Sequence, residues 1–160
     1  MSRRSRRFWA RLAQWVSNST CLRIDRWAVA TTGFSFINHC YTRAGGFVPR
    51  PCLLLTTRHH CSGDLRTVVL PYRRAGDRWL VVGSHGGRAT DAIWAKNLRV
   101  HTDVEIRVDR RRLPVTAIEA TGAERERVWK IVTDDGAYLL SEMVAHPRTI
   151  PVFVLSERAS

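Results

Sequence analysis

Three short stretches of this 160-residue chain could do chemistry, and two of them pair polar donors with glycine, the combination that lets a backbone come close to a ligand. The first is Thr56-Thr57-Arg58-His59-His60-Cys61-Ser62-Gly63-Asp64-Leu65-Arg66, a polar segment between two apolar runs. The Ser62 hydroxyl, amides freed by Gly63 and the forked guanidinium of Arg66 suit the oxygens of a phosphate. An ordinary solvated hairpin would carry the same residues. The stretch also holds three metal-type donors in a row, His59, His60 and Cys61. Adjacent positions in a hairpin point to different sides, so the spacing predicts no metal centre. Cys61 lacks a triad-like set of partners, and nucleophilic catalysis is not expected.

The second stretch, Ser84-His85-Gly86-Gly87, ends an apolar run and precedes a helical pattern. Paired glycines permit close contact, and amides at a helix start favour anionic or polar groups. A plain strand-to-helix turn would look the same. In the third, Trp94 and Asn97 lie three residues apart on one helical face, where an indole and an amide could flank a planar ring. A tryptophan at such spacing is more often core.

The elements that must position these groups follow from periodicity. Phe8, Trp9, Leu12, Trp15 and Val16 draw one apolar stripe among Arg3, Arg4, Arg6, Arg7 and Arg11, a basic amphipathic helix over residues 3 to 16. Such a helix could lie on an anionic membrane or pack on the domain. A second helical stretch over about 22 to 50 runs into Gly45-Gly46, Pro49 and Pro51. Strands are predicted at 52 to 57, 67 to 72 and 79 to 84, a helix at 88 to 99 capped by Thr90 or Asp91, and strands at 104 to 108 and 113 to 119. Thr121-x-x-Glu124 has the form of a capping box opening another helix, a broken helix is predicted around 137 to 145, and Ile150 to Leu155 reads as a strand buried on both faces. Six strands with helical cover predict a mainly β fold, a small β-barrel with N-terminal helices.

Composition bounds the function. The net charge is +12, and of 26 basic residues only Lys96 and Lys130 are lysine. The partners are expected to be anionic, yet no nucleic-acid motif accompanies the charge, and nucleic acid is not predicted as a partner. Four cysteines without a Cys-x-x-Cys pair read as reduced thiols of a cytoplasmic protein. No stretch has the roughly 20 apolar residues of a membrane span.

In order, Leu53-Leu54-Leu55-Thr56-Thr57, Ser62-Gly63 with Arg66, Ser84-His85-Gly86-Gly87, Trp94 with Asn97-Leu98, Glu124-Arg125 with Trp129, and Arg148-Thr149-Ile150-Pro151 resemble the motif series of the deazaflavin-dependent (coenzyme F(420)) nitroreductase and quinone-reductase family. The resemblance covers about residues 45 to 156. It divides the chain into a basic helical segment at 1 to 44, a barrel domain at 45 to 156 and a tail at 157 to 160.

The resemblance implies a split β-barrel of the FMN-binding kind that holds reduced coenzyme F(420) and passes a hydride to a small hydrophobic acceptor, a quinone or nitro compound. His60, Cys61, Ser62, Gly63 and Arg66 would meet the coenzyme's tail, with Val68 and Val69 lining the pocket. Ser84, His85, Gly86 and Gly87 would border the ring system, and Ile93, Trp94 and Asn97 would hold it from the helix. Tyr138 is the one phenol offered as a catalytic proton donor. The family commonly has Arg-Lys where this chain has His60-Cys61, and often Lys where it has His85. Those changes bring a rival into view, a non-catalytic deazaflavin or lipid carrier on the same barrel. Either version is expected as a monomer or homodimer, in the cytoplasm or peripheral at the inner face of the plasma membrane.

Overall fold

The computed structural model describes residues 3–16, 18–45, 48–134 and 148–158. Three helices come first, α1 (Arg3–Val16), α2 (Ser19–Thr32) and α3 (Phe36–Gly45). Then follow β1 (Cys52–Arg58), β2 (Leu65–Ala75), β3 (Arg78–Val82), a one-turn 3-10 helix (His85–Gly87), α4 (Ile93–Val100), β4 (Asp103–Val108), β5 (Arg111–Glu119), α5 (Gly122–Thr133) and β6 (Val152–Glu157). The six strands close into an antiparallel barrel in the order β1-β2-β3-β6-β5-β4, with β4 pairing back onto β1. The split β-barrel expected from the motif series is the fold observed.

Alternation sets the layers. Leu53 and Leu55 pair with Leu70 and Val68 and point into the barrel, where they join Ile106, Val115, Phe153 and Leu155. On the opposite face of the same strands, Cys52, Leu54 and Val69 pack under Val29 and Ala30 of α2. Helix α5 covers a third patch, setting Val128 and Val132 on Leu80, Val152 and Val154. Strand β6 is thus buried on both faces between the barrel interior and α5, as its unbroken apolar run requires.

The second helical stretch divides into α2 and α3. Gly33, at φ +71°, ends α2 in the left-handed region that glycine reaches without strain. The buried Asp25 carboxylate then accepts the Ser35 hydroxyl at 2.7 Å and the Ile37 amide at 3.2 Å, which restarts the chain as α3. Helix α1 lies against α3 through Ala13 and Val16, and the Arg6 guanidinium donates to the Ala44 carbonyl at 3.2 Å. The predicted apolar stripe is therefore divided, since Phe8 and Trp15 stay exposed.

Two caps differ from expectation. Helix α4 begins at Ile93 rather than near 88, and neither Thr90 nor Asp91 caps it; the N-cap is Ala92. Asp91 is held by Arg99 at 2.6 Å and Arg148 at 2.7 Å, which draws residues 88 to 92 out of helical geometry. At α5 the capping box does not form: the Thr121 side chain makes no capping bond, and the Glu124 carboxylate pairs instead with Arg127 at 2.8 Å and Arg78 at 3.2 Å. The broken helix predicted around 137 to 145 lies outside the described residues.

Candidate functional site

One cleft collects most of the ring-side residues. It has a volume of about 470 Å³ and is lined by Val68, Val69, Ser84, His85, Gly86, Ile93 and Trp94 from the predicted set. Asn38, Arg50, Leu70, Tyr72, Arg73 and Leu80 complete much of the remaining wall. That volume suits a small-molecule site. The wall combines an indole, a phenol and aliphatic side chains with a hydroxyl, an imidazole and two guanidiniums, a donor set suited to a flat ring bearing acceptors. Trp94 is fixed edge-on to Phe153, with ring centroids 5.7 Å apart. Ile93 stands half-exposed at the same edge.

The floor is the turn from Gly83 to Arg88. His85, Gly86 and Gly87 all have positive φ, at 54°, 62° and 74°. The space beside the Gly86 α-carbon is open, so the backbone itself faces the cleft. The turn is fastened from behind by Arg148. Its guanidinium donates to the carbonyls of Gly83 at 3.0 Å, Ser84 at 2.8 Å and Arg88 at 2.9 Å, and pairs with Asp91 at 2.7 Å. Gly83 is needed for another reason: a Cβ there would lie 2.7 Å from the Pro151 ring. The His85 Nδ1 donates to the Thr90 carbonyl at 2.8 Å, so the neutral ring keeps its lone pair on Nε2.

The hairpin lies off this cleft. His60, Cys61, Ser62, Gly63 and Arg66 do not line it, nor do Gly87 and Asn97. Arg66 shares strand parity with Val68 two residues on, so it stands about 7 Å farther along the same face of β2. Its ion pair with Asp64, at 3.4 Å, is exposed on both sides and leaves the guanidinium exchangeable. The loop amides are already engaged. Those of Cys61 and Ser62 donate to His59 Nδ1 at 3.3 and 3.2 Å, and that of Gly63 to the His59 carbonyl at 2.9 Å. Only side chains of this loop are therefore presented outward, and Ser62 turns its hydroxyl to Asp64 at 2.9 Å.

Asn97 is buried and ties the pieces together. Its Oδ1 accepts the His60 amide at 3.0 Å and His60 Nδ1 at 2.8 Å, while its Nδ2 donates to the Thr57 hydroxyl at 2.9 Å. It positions the hairpin against α4 and β1 from beneath. Adjacent hairpin residues also do not diverge here, contrary to the expectation that argued against metal-type geometry. The loop curls back on itself, His59 and His60 stack at 4.8 Å, and one donor atom from each of His59, His60 and Cys61 lies within 4.8 Å of the other two.

Tyr138 lies outside the described residues. A phenol that periodicity did not single out, Tyr72, lines the cleft from β2, and burial pushes its pKa up, with the Asp109 charge adding to the rise. It stays protonated. Arg148 and Gly83 were also missed as site builders. The Arg148-x-x-Pro151 spacing carried the signal, since both residues meet the turn, but only the folded contacts show what they hold.

A family model described as F(420)H(2)-dependent quinone reductase matches residues 35–157. An F(420)H(2)-dependent quinone reductase of Mycobacterium tuberculosis (strain ATCC 25618 / H37Rv) is 37% identical over 111 residues, covering 68% of this chain and 74% of that protein. Among solved structures, an F(420)H(2)-dependent reductase, FDR-A, superposes with a TM-score of 0.60 at 30% identity, over 67% of this chain and 95% of that one. A structure described as a domain-swapped dimer reaches a TM-score of 0.61 at 26% identity, over 89% of this chain and 98% of that one. With the cleft, the barrel and a match over most of the sequence in agreement, the chain belongs to the F(420)H(2)-dependent quinone reductase family.

Proposed function

We propose that the chain reduces a small hydrophobic acceptor, a quinone in the first instance, with the reduced deazaflavin coenzyme F(420) held in the 470 Å³ cleft. The observation that carries this reading is the convergence of the open Gly86 backbone, the fixed Trp94 and the basic pair Arg50 and Arg73 on one wall set. The residues fit the coenzyme. A planar ring with oxygen acceptors finds aromatic and aliphatic walls, hydrogen-bond donors from Ser84, and positive charge from two arginines. When bound, the reduced coenzyme supplies an electron pair as hydride.

The chain's own part is binding, orientation and a proton. Ile93 and Trp94 keep water off one face of the cleft. Arg148, through the turn it fastens, holds the Gly86 backbone in place before any ligand arrives. Tyr72 offers a protonated phenol in the wall, placed to give a proton to an acceptor oxygen, and takes the role first assigned to Tyr138 among the described residues. The tail of the coenzyme runs along β2 from Val68 toward Arg66 and the side chains of His60, Cys61 and Ser62. Asn97 acts by placing that hairpin.

The test is anaerobic mixing of purified protein with reduced coenzyme and a soluble quinone, following the coenzyme's absorbance. Stoichiometric reoxidation that requires protein is expected. Binding without reoxidation by any quinone or nitro compound would make the protein a carrier.

Two finer proposals follow from the same structure. Phe8, Trp15, Ile24 and Trp27 are more than half exposed on α1 and α2, among Arg7, Arg11, Arg23 and Arg26. Apolar anchors ringed by arginine suit an anionic bilayer, from which a hydrophobic quinone could be drawn. Among the described residues no helix is long and apolar enough to cross a membrane, so such contact would be peripheral. Sedimentation with anionic vesicles should fall sharply in the Trp15→Ser/Trp27→Ser double variant. A homodimer is the favoured assembly, supported by the neighbour described as a domain-swapped dimer, and light scattering would decide it.

A further inference from the structure

The tip of the β1–β2 hairpin carries a chemistry that hydride transfer does not use. His59, His60 and Cys61 bring two imidazoles and an exposed thiol together, with one donor atom from each inside a 4.8 Å span. A tetrahedral metal with bonds of about 2.0–2.1 Å to nitrogen and 2.3 Å to sulfur needs donors about 3.3 to 3.6 Å apart. Closure thus asks for no more than about 1.5 Å per pair, within reach of side-chain rotation on an exposed loop.

Hydrogen bonds already orient both rings. A backbone N–H can only donate, so the atom of Asn97 facing the His60 amide is its oxygen, held in that orientation by the Nδ2 bond to Thr57. The same oxygen accepts from His60 Nδ1, which must carry the ring proton. The neutral ring therefore has its lone pair on Nε2, the arrangement in which a second hydrogen-bonding partner orients a metal-ligating histidine. His59 Nδ1 is also unprotonated, because two amides donate to it. Those contacts are long, at 3.3 and 3.2 Å, and are the ones a metal would displace. Two guanidiniums stand nearby: Arg58 donates to the Gly63 carbonyl and keeps its charge, and Arg66 forms an exposed pair with Asp64.

We propose that His59, His60 and Cys61 form a three-ligand site for a divalent metal of the zinc class, with the fourth position open to water. On binding, the Cys61 thiol gives its proton to solvent as the sulfur–metal bond forms, and no electron changes hands. The site uses side chains also proposed to meet the coenzyme's tail, so it is tested with metal alone, in the absence of coenzyme.

Metal-free full-length protein is titrated with cobalt(II), whose thiolate bond absorbs in the near ultraviolet, and then with zinc as competitor. One equivalent should bind with the thiolate band present, and zinc should displace it. Cys61→Ser should abolish the band, His60→Ala should weaken binding by about tenfold or more, and Cys21→Ser on α2 should change neither. Absence of the band at 100 μM cobalt, or its persistence in Cys61→Ser, would overturn the proposal. Cys61 is exposed, so circular dichroism of that variant should match the parent and exclude misfolding as the cause.

Discussion

The glycine-bearing turn that floors the cleft and the glycine-bearing hairpin that lies off it are built on different plans. The turn at 83 to 88 is held from outside: Arg148 reaches across 64 residues of sequence to the Ser84 carbonyl, and Pro151 packs where Gly83 leaves room. The hairpin at 59 to 64 is curled by its own amides on His59 and supported from beneath by a single α4 side chain, Asn97 under His60. The first presents backbone to the ligand, and the second presents exposed side chains. Preorganised backbone suits the shared ring chemistry, while exposed side chains can change without cost to the barrel. This chain departs from the motif series at side chains in both loops, with His60-Cys61 in place of two basic residues in the hairpin and His85 in place of a lysine in the turn.

The contrast is broken most severely at Arg148. Arg148→Ala removes a mostly buried guanidinium and leaves Asp91 short of a partner, and should cost about 3–5 kcal/mol in urea unfolding. Arg148→Lys should recover little, since an ammonium cannot reach three carbonyls and a carboxylate in one plane. Asn97→Ala strands the His60 amide and should cost about 2 kcal/mol, also loosening the hairpin as read by amide exchange. Gly83→Ala forces a methyl against the Pro151 ring and should cost about 1–3 kcal/mol, with weaker coenzyme binding from the displaced turn.

Arg66→Ala sharpens the comparison from the other side. Its exposed pair with Asp64 adds little to folding, so stability should move by less than about 0.5 kcal/mol. Coenzyme affinity should nevertheless fall about tenfold or more, the loss of one charge-assisted hydrogen bond. The smallest effect concerns the thiols. Burial, then the Asp25 charge, pushes Cys52 up to about 12, while Cys61 is exposed. Alkylation at pH 8 should label Cys61 and spare Cys52. The raised folded value makes Cys52 a contributor to stability that is present below about pH 9 and fades as pH rises toward 12.

Much of this was legible in residue order. Apolar runs located all six strands, and Gly63 marked the β1–β2 hairpin, because strand patterning and turn chemistry are local. The caps of α4 and α5 were misread because local patterns do not show competing partners: Asp91 and Glu124 are drawn to arginines distant in sequence. The cleft was half visible. Ser84, Gly86 and Trp94 belong to motifs, whereas Arg50, Tyr72 and Arg73 lie in stretches with no signature and enter only through barrel closure. The curl of His59, His60 and Cys61 was invisible for a related reason, since it depends on Asn97, 37 residues away.

The central claim is that a single cleft holds the deazaflavin between the Gly86 turn and the edge bearing Ile93 and Trp94. Anaerobic titration of the full chain with F(420), monitored by tryptophan fluorescence and repeated on Ile93→Glu, tests it most directly. The account predicts saturable micromolar binding that weakens with salt and is lost when a carboxylate stands at the cleft edge. Failure to saturate at tens of micromolar, or undiminished binding by Ile93→Glu, would contradict it.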